Sequence, residues 1–524
     1  MSIKKDDTES GPNLRYLDSL SKRYSFKLLA NVFGFLIGIV MQMIIPRGLG
    51  PKAYGDFSFL TNFFSQLVGF LDMGTSTCFY INISSRPKEY PLVSFYSYFA
   101  LLVTALVFGF VAFVHSAGIH DKIWLEQNIV YVYLAAGWGL LNWYVQILGG
   151  TTDAYGMTVP AEKARMLQRT ISLVAIVLLY MCHQLKLLQF YIYHYAIFLF
   201  LLIIFIRIIH RNVLKLTVHQ KLSREKAKAY AKDFFNYGHP IFIIAVVVLI
   251  EGIFDRWLLQ YYGGSMQQGF YSLSYQIGGI CLLFTSAMTP LLMREYSILH
   301  CNNNLQEMGR LFKRYVPMLY AIAAYFSCFI MVQAREVVRI TGGSAFEGSI
   351  VAVSIMALYP IHQTYGQLTS SLFYAMGQTK LYRNISVVLS MCSLPFTYLM
   401  IAPVDKLGLN AGATGLAIKM LAINIIGVNI QLYFNVKLLG LKFGNYLAKQ
   451  ISCLIVFMGC AVLSSFCSDY LIPNSIGSFL LSGVFYTAMA GLIVFFKPET
   501  LGLGEEDIRY VIQQIRDRLN LNKE

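Results

Sequence analysis

Long apolar runs recur from one end of this chain to the other, and they constrain its fold more than any other feature. Each run holds about 18 to 25 residues, enough for a helix to cross a hydrocarbon layer roughly 30 Å thick. The chain has 524 residues, of which 56% are hydrophobic and only 13% are charged. A water-soluble protein of this length needs more charge to cover its surface. The sequence therefore predicts a membrane protein.

The runs predict an all-α, polytopic fold with about fourteen transmembrane helices, because no alternating ten-residue pattern indicates a membrane β-barrel. The predicted spans are 24–46, 54–83, 92–115, 127–149, 165–182, 188–208, 235–259, 269–293, 315–332, 349–375, 382–401, 409–434, 450–466 and 476–496.

The basic residues are distributed unequally between the predicted loops. With a cytoplasmic amino terminus, roughly 33 of the 42 Lys and Arg residues fall on the inner side and about 7 on the outer side. The formal net charge of +15 is therefore mainly a signal of topology, although the basic loop after the sixth span could also contact anionic lipid. No soluble basic face remains for nucleic acid. Both termini are predicted to be cytoplasmic, and the first span is predicted to be retained and not cleaved as a signal peptide.

Two pairs of short segments repeat at nearly one spacing. GPKAYGDFSF from Gly50 aligns with GSMQQGFYSL from Gly264, and AYGMT from Ala154 aligns with AMGQT from Ala375. Six predicted spans separate the members of each pair, so the two copies have one orientation in the membrane. Such duplication is typical of secondary transporters, which bind substrate between the copies. Chance similarity and a purely structural duplication are the alternatives.

These patterns divide the chain into six predicted parts. They are a cytoplasmic segment (1–23), a six-helix bundle (24–208), a basic cytoplasmic linker (209–234), a second, parallel six-helix bundle (235–434), two extra transmembrane helices (435–496) and an amphipathic cytoplasmic tail (497–524).

The motifs of enzymes and metal sites are missing from the sequence. There is no P-loop, no H-E-x-x-H and no G-x-S-x-G pattern. The nine cysteines form no C-x-x-C pair, and we interpret them as buried apolar residues. The sequence therefore predicts no enzymatic activity, no cofactor and no metal. A membrane polymerase or ligase, the alternative from another class, would need a larger outer loop than the predicted ones of about 15 residues or fewer.

Several motifs occur in the order found in polysaccharide exporters of the Wzx type. IIPRGLGPKAYGDFSFLTNFFSQLVGFLDMG from Ile44 resembles the opening of that family, and FDRWLLQYYGGSMQQGFYSLSYQI from Phe254 resembles its D-R-x-x-L and G-x-Y-s segment. MTPLLMREYS, GQTKLYRN and GLNAGATGLAI are similar to later segments of the family. The resemblance extends from Tyr24 to about Phe434.

This resemblance implies a flippase of the multidrug, oligosaccharidyl-lipid and polysaccharide exporter superfamily. Its implied cargo is an undecaprenyl-diphosphate-linked oligosaccharide, moved across the bacterial inner membrane by alternating access. The implied partners are this lipid-linked oligosaccharide, membrane lipids, and the polysaccharide polymerase and chain-length machinery. The alternative within the superfamily is a drug or cation exporter.

The seventh predicted span carries three charges in the stretch LIEGIFDRWLL, namely Glu251, Asp255 and Arg256. Glu251 and Asp255 are four residues apart and share a helix face. Two carboxylates so close in a medium of low dielectric repel each other, so one is predicted to hold a proton, unless Arg256 or another cation compensates, and to couple transport to an ion gradient. Arg256 is predicted to contact the substrate. The alternative is that Arg256 reaches the outer headgroups and that the two acids pair with neighbouring helices.

Lys419 lies roughly 15 Å deep in the twelfth predicted span, where a lysine cannot easily reach the membrane surface. We predict that it contacts the substrate diphosphate; the alternative is a lysine paired permanently with Glu251 or Asp255. Arg165 and Arg169, at the inner end of the fifth span, are predicted substrate contacts or ordinary topological anchors.

Two further residues are predicted to take part in ion coupling. Asp72 belongs to the family-like LDMG segment and is equally compatible with a role in helix packing. His362 follows Pro360 in the tenth predicted span and could titrate, although an interior hydrogen-bonded histidine is the simpler interpretation.

Overall fold

The computed structural model describes residues 20–87, 89–211, 222–239, 242–472 and 475–496, and its regular structure there is helical throughout. The α-helices are α1 (Leu20–Asp72), α2 (Thr75–Ser85), α3 (Tyr90–Ser116), α4 (His120–Ile123), α5 (Ile129–Ala154), α6 (Thr158–Met181), α7 (Leu187–Ile209), α8 (Arg224–Gly238), α9 (Phe242–Ile280), α10 (Leu283–Cys301), α11 (Leu305–Val332), α12 (Ala334–Thr341), α13 (Ile350–Met356), α14 (Tyr359–Ala375), α15 (Thr379–Ile401), α16 (Gly412–Leu438), α17 (Phe443–Leu471) and α18 (Ser475–Phe496).

Many of these helices are long and apolar enough to cross a membrane. Within the described ranges nine helices qualify, or ten if the segments Ser344–Met356 and Tyr359–Ala375, bent by 42° at their junction, form one span. The helix α1 counts once in this number although it contains the whole first predicted span and most of the second. The prediction of an all-α, polytopic membrane protein is confirmed.

Glycines produce the kinks in the two longest helices. Gly50 in α1 has φ 73° and ψ 167°, and Gly264 in α9 has φ 66° and ψ −174°. An L-residue with a side chain adopts such a positive φ only at a cost, which explains why glycine stands at both points. The two kinked glycines are the residues that the repeat places in equivalent positions.

The two copies of this repeat pack against each other reciprocally. A Cβ on Gly55 would overlap the carbonyl oxygen of Ser265, and a Cβ on Gly269 would overlap the carbonyl oxygen of Pro51. Gly55 is aligned with Gly269, and Pro51 is aligned with Ser265. The contact is therefore symmetric in the two copies and requires glycine on both sides.

The second repeated segment also has one conformation in both copies. Gly156 follows α5 with φ 76°, and Gly377 follows α14 with φ 68°. In both turns the amide of the next residue donates to the carbonyl five positions earlier, which is a Schellman turn.

The basic linker contains a helix that was predicted as a loop. Tyr230 and Phe234 of α8 are buried, and both rings pack on Phe95, with centroids 5.6 and 5.5 Å apart. The spacing of these two aromatics by four residues places them on one face. Because α8 extends to Gly238, the seventh span begins at Phe242 and not at residue 235.

The chain forms two compact units. Unit 1 comprises Met1–Ile44, Phe64–Ile119 and Asn128–Ala245, and unit 2 comprises Ile45–Phe63, His120–Gln127 and Val246–Glu524. Most of the predicted amino-terminal segment (1–23), residues 212–221 of the linker and the predicted amphipathic tail (497–524) lie outside the described residues. The predicted bundles at 24–208 and 235–434 stay a prediction.

Candidate functional site

Three of the predicted charges meet in unit 2. The ammonium of Lys419 on α16 donates to Asp255 Oδ2 at 2.6 Å and to Glu251 Oε1 at 3.1 Å, and both acids lie on α9. The Lys419 side chain is fully buried, whereas the side chains of Asp255 and Glu251 are 11% and 24% exposed. The structure therefore forms the pairing that the sequence analysis gives as the alternative to a free, substrate-binding lysine.

Two hydroxyl groups on α15 complete this charged cluster, and the sequence analysis did not identify them. Ser393 donates to Glu251 at 2.6 Å, and Thr397 donates to Asp255 at 2.7 Å. Each pair is separated by 142 residues in the chain. The two hydrogen bonds are thus one turn apart on both helices, so α9 and α15 run in the same direction here. A serine and a threonine four residues apart in an apolar helix were the available signal.

The charged cluster contains two carboxylates and one ammonium. Fully ionised, Glu251, Asp255 and Lys419 carry a net charge of −1, and one proton bound to either acid makes the cluster neutral. Buried charges are tolerated only when they are paired and hydrogen-bonded, and both conditions are met here. The arrangement can therefore exchange one proton between a neutral and a singly negative state, and in the latter both carboxylates share the one ammonium.

A polar cavity of about 280 Å³ adjoins the charged cluster in unit 2. Glu251 and Lys419 form part of its wall, and α14, α15 and α16 supply the rest. Its other polar side chains are amides and hydroxyls, a set that the sequence analysis did not identify because these residues are scattered along three helices. They include Gln363, Gln367, Ser370, Ser386, Ser390, Asn424 and Gln431.

Arg256 follows Asp255 in sequence but takes different partners. It donates to Gln268 at 3.1 Å and to Ser272 at 2.9 Å, and its guanidinium lies 4.4 Å from the centroid of the Tyr271 ring. Within the part of the chain that the structure describes, no carboxylate forms an ion pair with it. The three charges of this segment are therefore divided between two environments in unit 2.

Asp72 lies in unit 1, between α1 and α2. Its carboxylate accepts hydrogen bonds from Thr75, from the amide and hydroxyl of Ser76, from Tyr96 at 3.4 Å and from Trp143 at 3.2 Å. The N-cap position of α2 is occupied by Gly74, so Asp72 accepts from the first turn of α2 from outside the cap position, and Tyr96 and Trp143 connect its carboxylate to α3 and α5. This geometry corresponds to the packing interpretation of Asp72.

Arg165 and Arg169 also belong to unit 1, on α6. Arg165 forms an ion pair with the buried Glu162 and lies 5.5 Å from the centroid of the Phe205 ring. Arg169 donates to the backbone carbonyl of Ala30. The two arginines are one turn apart, as predicted, and each already has a partner in its own unit. Glu162 was not identified from the sequence, although its spacing of three residues from Arg165 is a typical helical ion pair.

His362 is buried in α14 and lies edge-on to the Tyr320 ring, with centroids 6.0 Å apart. Its Nδ1 has no hydrogen-bond partner among the described residues. The hydrogen bond that the simpler interpretation of His362 requires is therefore not formed at this nitrogen. No group of three or more potential ligands that could hold a metal ion occurs in the described ranges.

Comparison with known protein structures shows the fold. The lipid II flippase MurJ in an inward closed conformation is 13% identical, with a TM-score of 0.62 over 90% of this chain and 99% of that one. An inward-facing multidrug resistance MATE family transporter of the MOP superfamily is 16% identical, with a TM-score of 0.60 over 78% of this chain and 94% of that one. A MOP superfamily transporter from Pyrococcus furiosus is 15% identical, with a TM-score of 0.53 over 83% and 99%.

Sequence comparison shows the family. No curated protein matches the chain. Residues 20–292, just over half of the sequence, match the family model described as polysaccharide biosynthesis protein. This match covers α9 with both acids of the charged cluster. The chain is a multi-pass membrane protein that belongs to the polysaccharide biosynthesis protein family.

Proposed function

We propose that this protein is a flippase, not an enzyme, and that it moves a lipid-linked oligosaccharide across the bacterial inner membrane by alternating access. Membership of the polysaccharide biosynthesis family and a fold shared with MOP superfamily transporters support the proposal. A sugar chain joined to a diphosphate cannot cross hydrocarbon unaided, whereas its prenyl tail can stay in the lipid. The protein then has to supply only a wet path with a cation for the diphosphate.

The observation that carries this proposal is the buried charged cluster beside a polar cavity. Intramembrane ionisable groups are costly and mark substrate or ion pathways in transporters. Lys419 is fully buried and is held by both acids. A lysine needed only for stability could be replaced together with its acids by apolar residues at little cost.

In the proposed cycle the charged cluster couples proton binding to substrate binding. Glu251 is the more exposed acid and lies on the cavity wall, so it receives the proton. Protonation weakens its bond to Lys419, and one N–H of the ammonium becomes available to an anionic headgroup. Loss of the proton on the other side of the membrane restores the bond and displaces the headgroup. Rocking of the two predicted bundles connects these states.

The other predicted residues keep subsidiary roles in the proposal. Arg165, Arg169 and Arg256 are proposed contacts for the anionic headgroup before and after it reaches Lys419. Asp72, held by hydrogen bonds from α2, α3 and α5, is proposed to stabilise unit 1, and His362 is proposed as a second site of protonation in the cycle. The proposed setting has both termini in the cytoplasm, with membrane lipids, a polysaccharide polymerase and chain-length machinery as partners.

A cation or drug exporter is the second candidate function. The net charge of −1 on the fully ionised charged cluster would suit a cationic substrate, and one of the similar structures is a multidrug resistance transporter. The two functions differ in the sign of the charge on the cargo.

Reconstitution in liposomes separates these candidates. The purified chain is tested with a fluorescent prenyl-diphosphate-linked sugar, whose sidedness is read by quenching from outside, and with ethidium as a cationic probe. The proposal predicts that the labelled lipid changes leaflet and that ethidium does not accumulate. Accumulation of ethidium with unchanged sidedness of the lipid would contradict the flippase proposal and support the exporter.

A further inference from the structure

The polar cavity in unit 2 has a lining that the charged cluster alone does not explain. Gln363 and Gln367 come from α14, and Asn424 and Gln431 come from α16. Side-chain amides inside a membrane are costly unless they find partners, and they seldom cluster without a function. The clustering of these four amides is therefore the feature that a ligand has to explain.

Several of these groups have hydrogen-bonding capacity that the protein does not use. The buried Oε1 of Gln367 has no partner among the described residues. Asn424 donates to the carbonyl of Tyr359 at 3.2 Å, and Gln431 accepts from Thr369 at 3.2 Å. This leaves the Oδ1 of Asn424 as an acceptor and the Nε2 of Gln431 as a donor, so the cavity offers neutral groups of both kinds.

An apolar cavity in unit 1 contrasts with the polar cavity in unit 2. That cavity measures about 520 Å³ and is lined mainly by aliphatic and aromatic side chains of α3, α5 and α7, such as Val93, Leu148 and Ile206. It contains no amide and no charged side chain in its lining. The smaller cavity in unit 2 contains four amides, with serines from α14 and α15 and the rings of Tyr359 and Tyr382.

Neutral donors and acceptors next to aromatic surface match a sugar ring, whose hydroxyls both donate and accept and whose C–H groups are apolar. Phosphate needs cationic donors, and in this cavity only Lys419 supplies them. Clefts for drug-sized ligands measure about 300–1,000 Å³. A volume of about 280 Å³ lies just below this range and accommodates one sugar ring.

We propose that the cavity formed by α14, α15 and α16 is a subsite for a single sugar ring, read by Gln363, Gln367, Asn424 and Gln431. The inference rests on the proposed flippase function and assigns one part of its cargo to unit 2. With Glu251 and Lys419 on the same wall, the ring occupies the cavity when its diphosphate reaches the ammonium. The four amides, and not the charged cluster, then decide which sugar is accepted.

The test compares lipids that differ only in the sugar. The full-length chain in detergent is titrated with farnesyl diphosphate and with farnesyl diphosphate bearing glucose, galactose, N-acetylglucosamine or rhamnose, and affinity is read from ligand-dependent thermal stability. We expect at least one sugar lipid to bind about tenfold more tightly than farnesyl diphosphate, since a site built to bind hydroxyls discriminates against analogues that lack them. Equal binding of all five lipids would overturn the subsite.

Variants show whether the gain in affinity from the sugar depends on this cavity. Asn424→Leu and Gln367→Met should reduce the gain from sugar to less than about threefold and leave the affinity for farnesyl diphosphate unchanged. Gln367→Met keeps the shape and removes an amide oxygen that has no partner, so the variant is expected to fold normally. Asn429→Leu, on the same helix but outside the cavity lining, is the matched control and should keep the gain. A full gain in both cavity variants would overturn the assignment.

The failure of the subsite can be told apart from the failure of the flippase proposal. Translocation of the labelled lipid without any preference for sugar overturns the subsite alone. Absence of both binding and translocation for every prenyl diphosphate overturns the two together.

Discussion

At the scale of single residues, Lys419 is the side chain on which most of the account depends. Its ammonium is fully buried and makes close contacts with two carboxylates. Removing one partner from a buried charge pair leaves an uncompensated charge and costs about 3–5 kcal/mol. Stability and transport should therefore respond differently to changes at this residue.

Lys419→Met is predicted to lower the thermal midpoint of the purified protein and to abolish translocation, because Glu251 and Asp255 then face each other without a cation. The triple change Lys419→Met, Glu251→Gln and Asp255→Asn should recover the thermal midpoint, since neutral groups replace all three charges, but not translocation. Thermal unfolding in detergent and the liposome assay measure the two effects. Lys437→Met removes an exposed charge from the same helix and should change neither. An unaltered midpoint in Lys419→Met would show that the pairing is energetically unimportant.

Asp72→Asn tests whether Asp72 acts in packing or in ion coupling. Asparagine can also accept from the Ser76 amide, so the variant should lose little stability, whereas Asp72→Ala should lose about 1–3 kcal/mol because buried donors such as the Trp143 indole lose their acceptor. Both variants should keep the dependence of transport on the ion gradient. Thermal unfolding and gradient-dependent uptake are measured together. Normal stability with loss of gradient dependence in Asp72→Asn would make it a coupling residue.

The sequence was sufficient to locate the charges of the site and to give Glu251 or Asp255 as alternative partners of Lys419, but not to decide between this pairing and a substrate contact. Three ionisable residues in apolar helices are visible without a structure, because the membrane makes them exceptional. The partner of Lys419 depends on helix rotation and on a contact across 164 residues. Ser393 and Thr397 could not be distinguished from the many hydroxyl residues of the other spans, since a hydroxyl can bond to its own helix backbone.

At the scale of elements, the reciprocal contact between the repeats is the feature most sensitive to substitution. Gly55 and Gly269 each lie against a backbone carbonyl of the other copy, and backbone yields less readily than a side chain. Adding atoms to a packed contact costs about 1–3 kcal/mol.

Gly55→Ala and Gly269→Ala are therefore each predicted to lower the thermal midpoint. Gly69→Ala is the matched control for α1, because a Cβ there has no atom within 4 Å. It should be neutral or slightly stabilising, since alanine favours the helix. The three midpoints are compared under one set of conditions. Equal midpoints for Gly55→Ala and Gly69→Ala would mean that the contact loosens without cost.

The helical elements were predictable where one long apolar run forms one span, as in α3, α7 and α18. They were less predictable where a local signal overrides the run. The predicted span 54–83 is divided at Met73 and Gly74, both with positive φ, and a new helix begins at Thr75 with Gly74 as its N-cap. The helix α8 was missed because its charges suggested a loop, although Tyr230 and Phe234 indicate a buried face.

At the scale of the whole molecule, composition and the length of the apolar runs were enough to predict the fold class, because a backbone that crosses lipid must satisfy its own hydrogen bonds, as a helix does. Family membership followed from the order of motifs, which is independent of side-chain geometry. The division into units could not be predicted, since Ile45–Phe63 and His120–Gln127 belong to unit 2 although most of the chain around them is in unit 1. Such grouping depends on contacts between distant segments, which hydropathy does not record.

The central claim is that Glu251 and Lys419 couple an ion gradient to the movement of an anionic lipid. Its most direct test is the initial rate at which a labelled prenyl-diphosphate-linked sugar changes leaflet in liposomes, with and without an imposed proton gradient. The gradient is expected to accelerate the wild-type protein, and Glu251→Gln is expected to be at least about tenfold slower, a barrier change of roughly 1.4 kcal/mol, and no longer to respond to the gradient. A Glu251→Gln protein that still responds to the gradient like the wild type would contradict the claim.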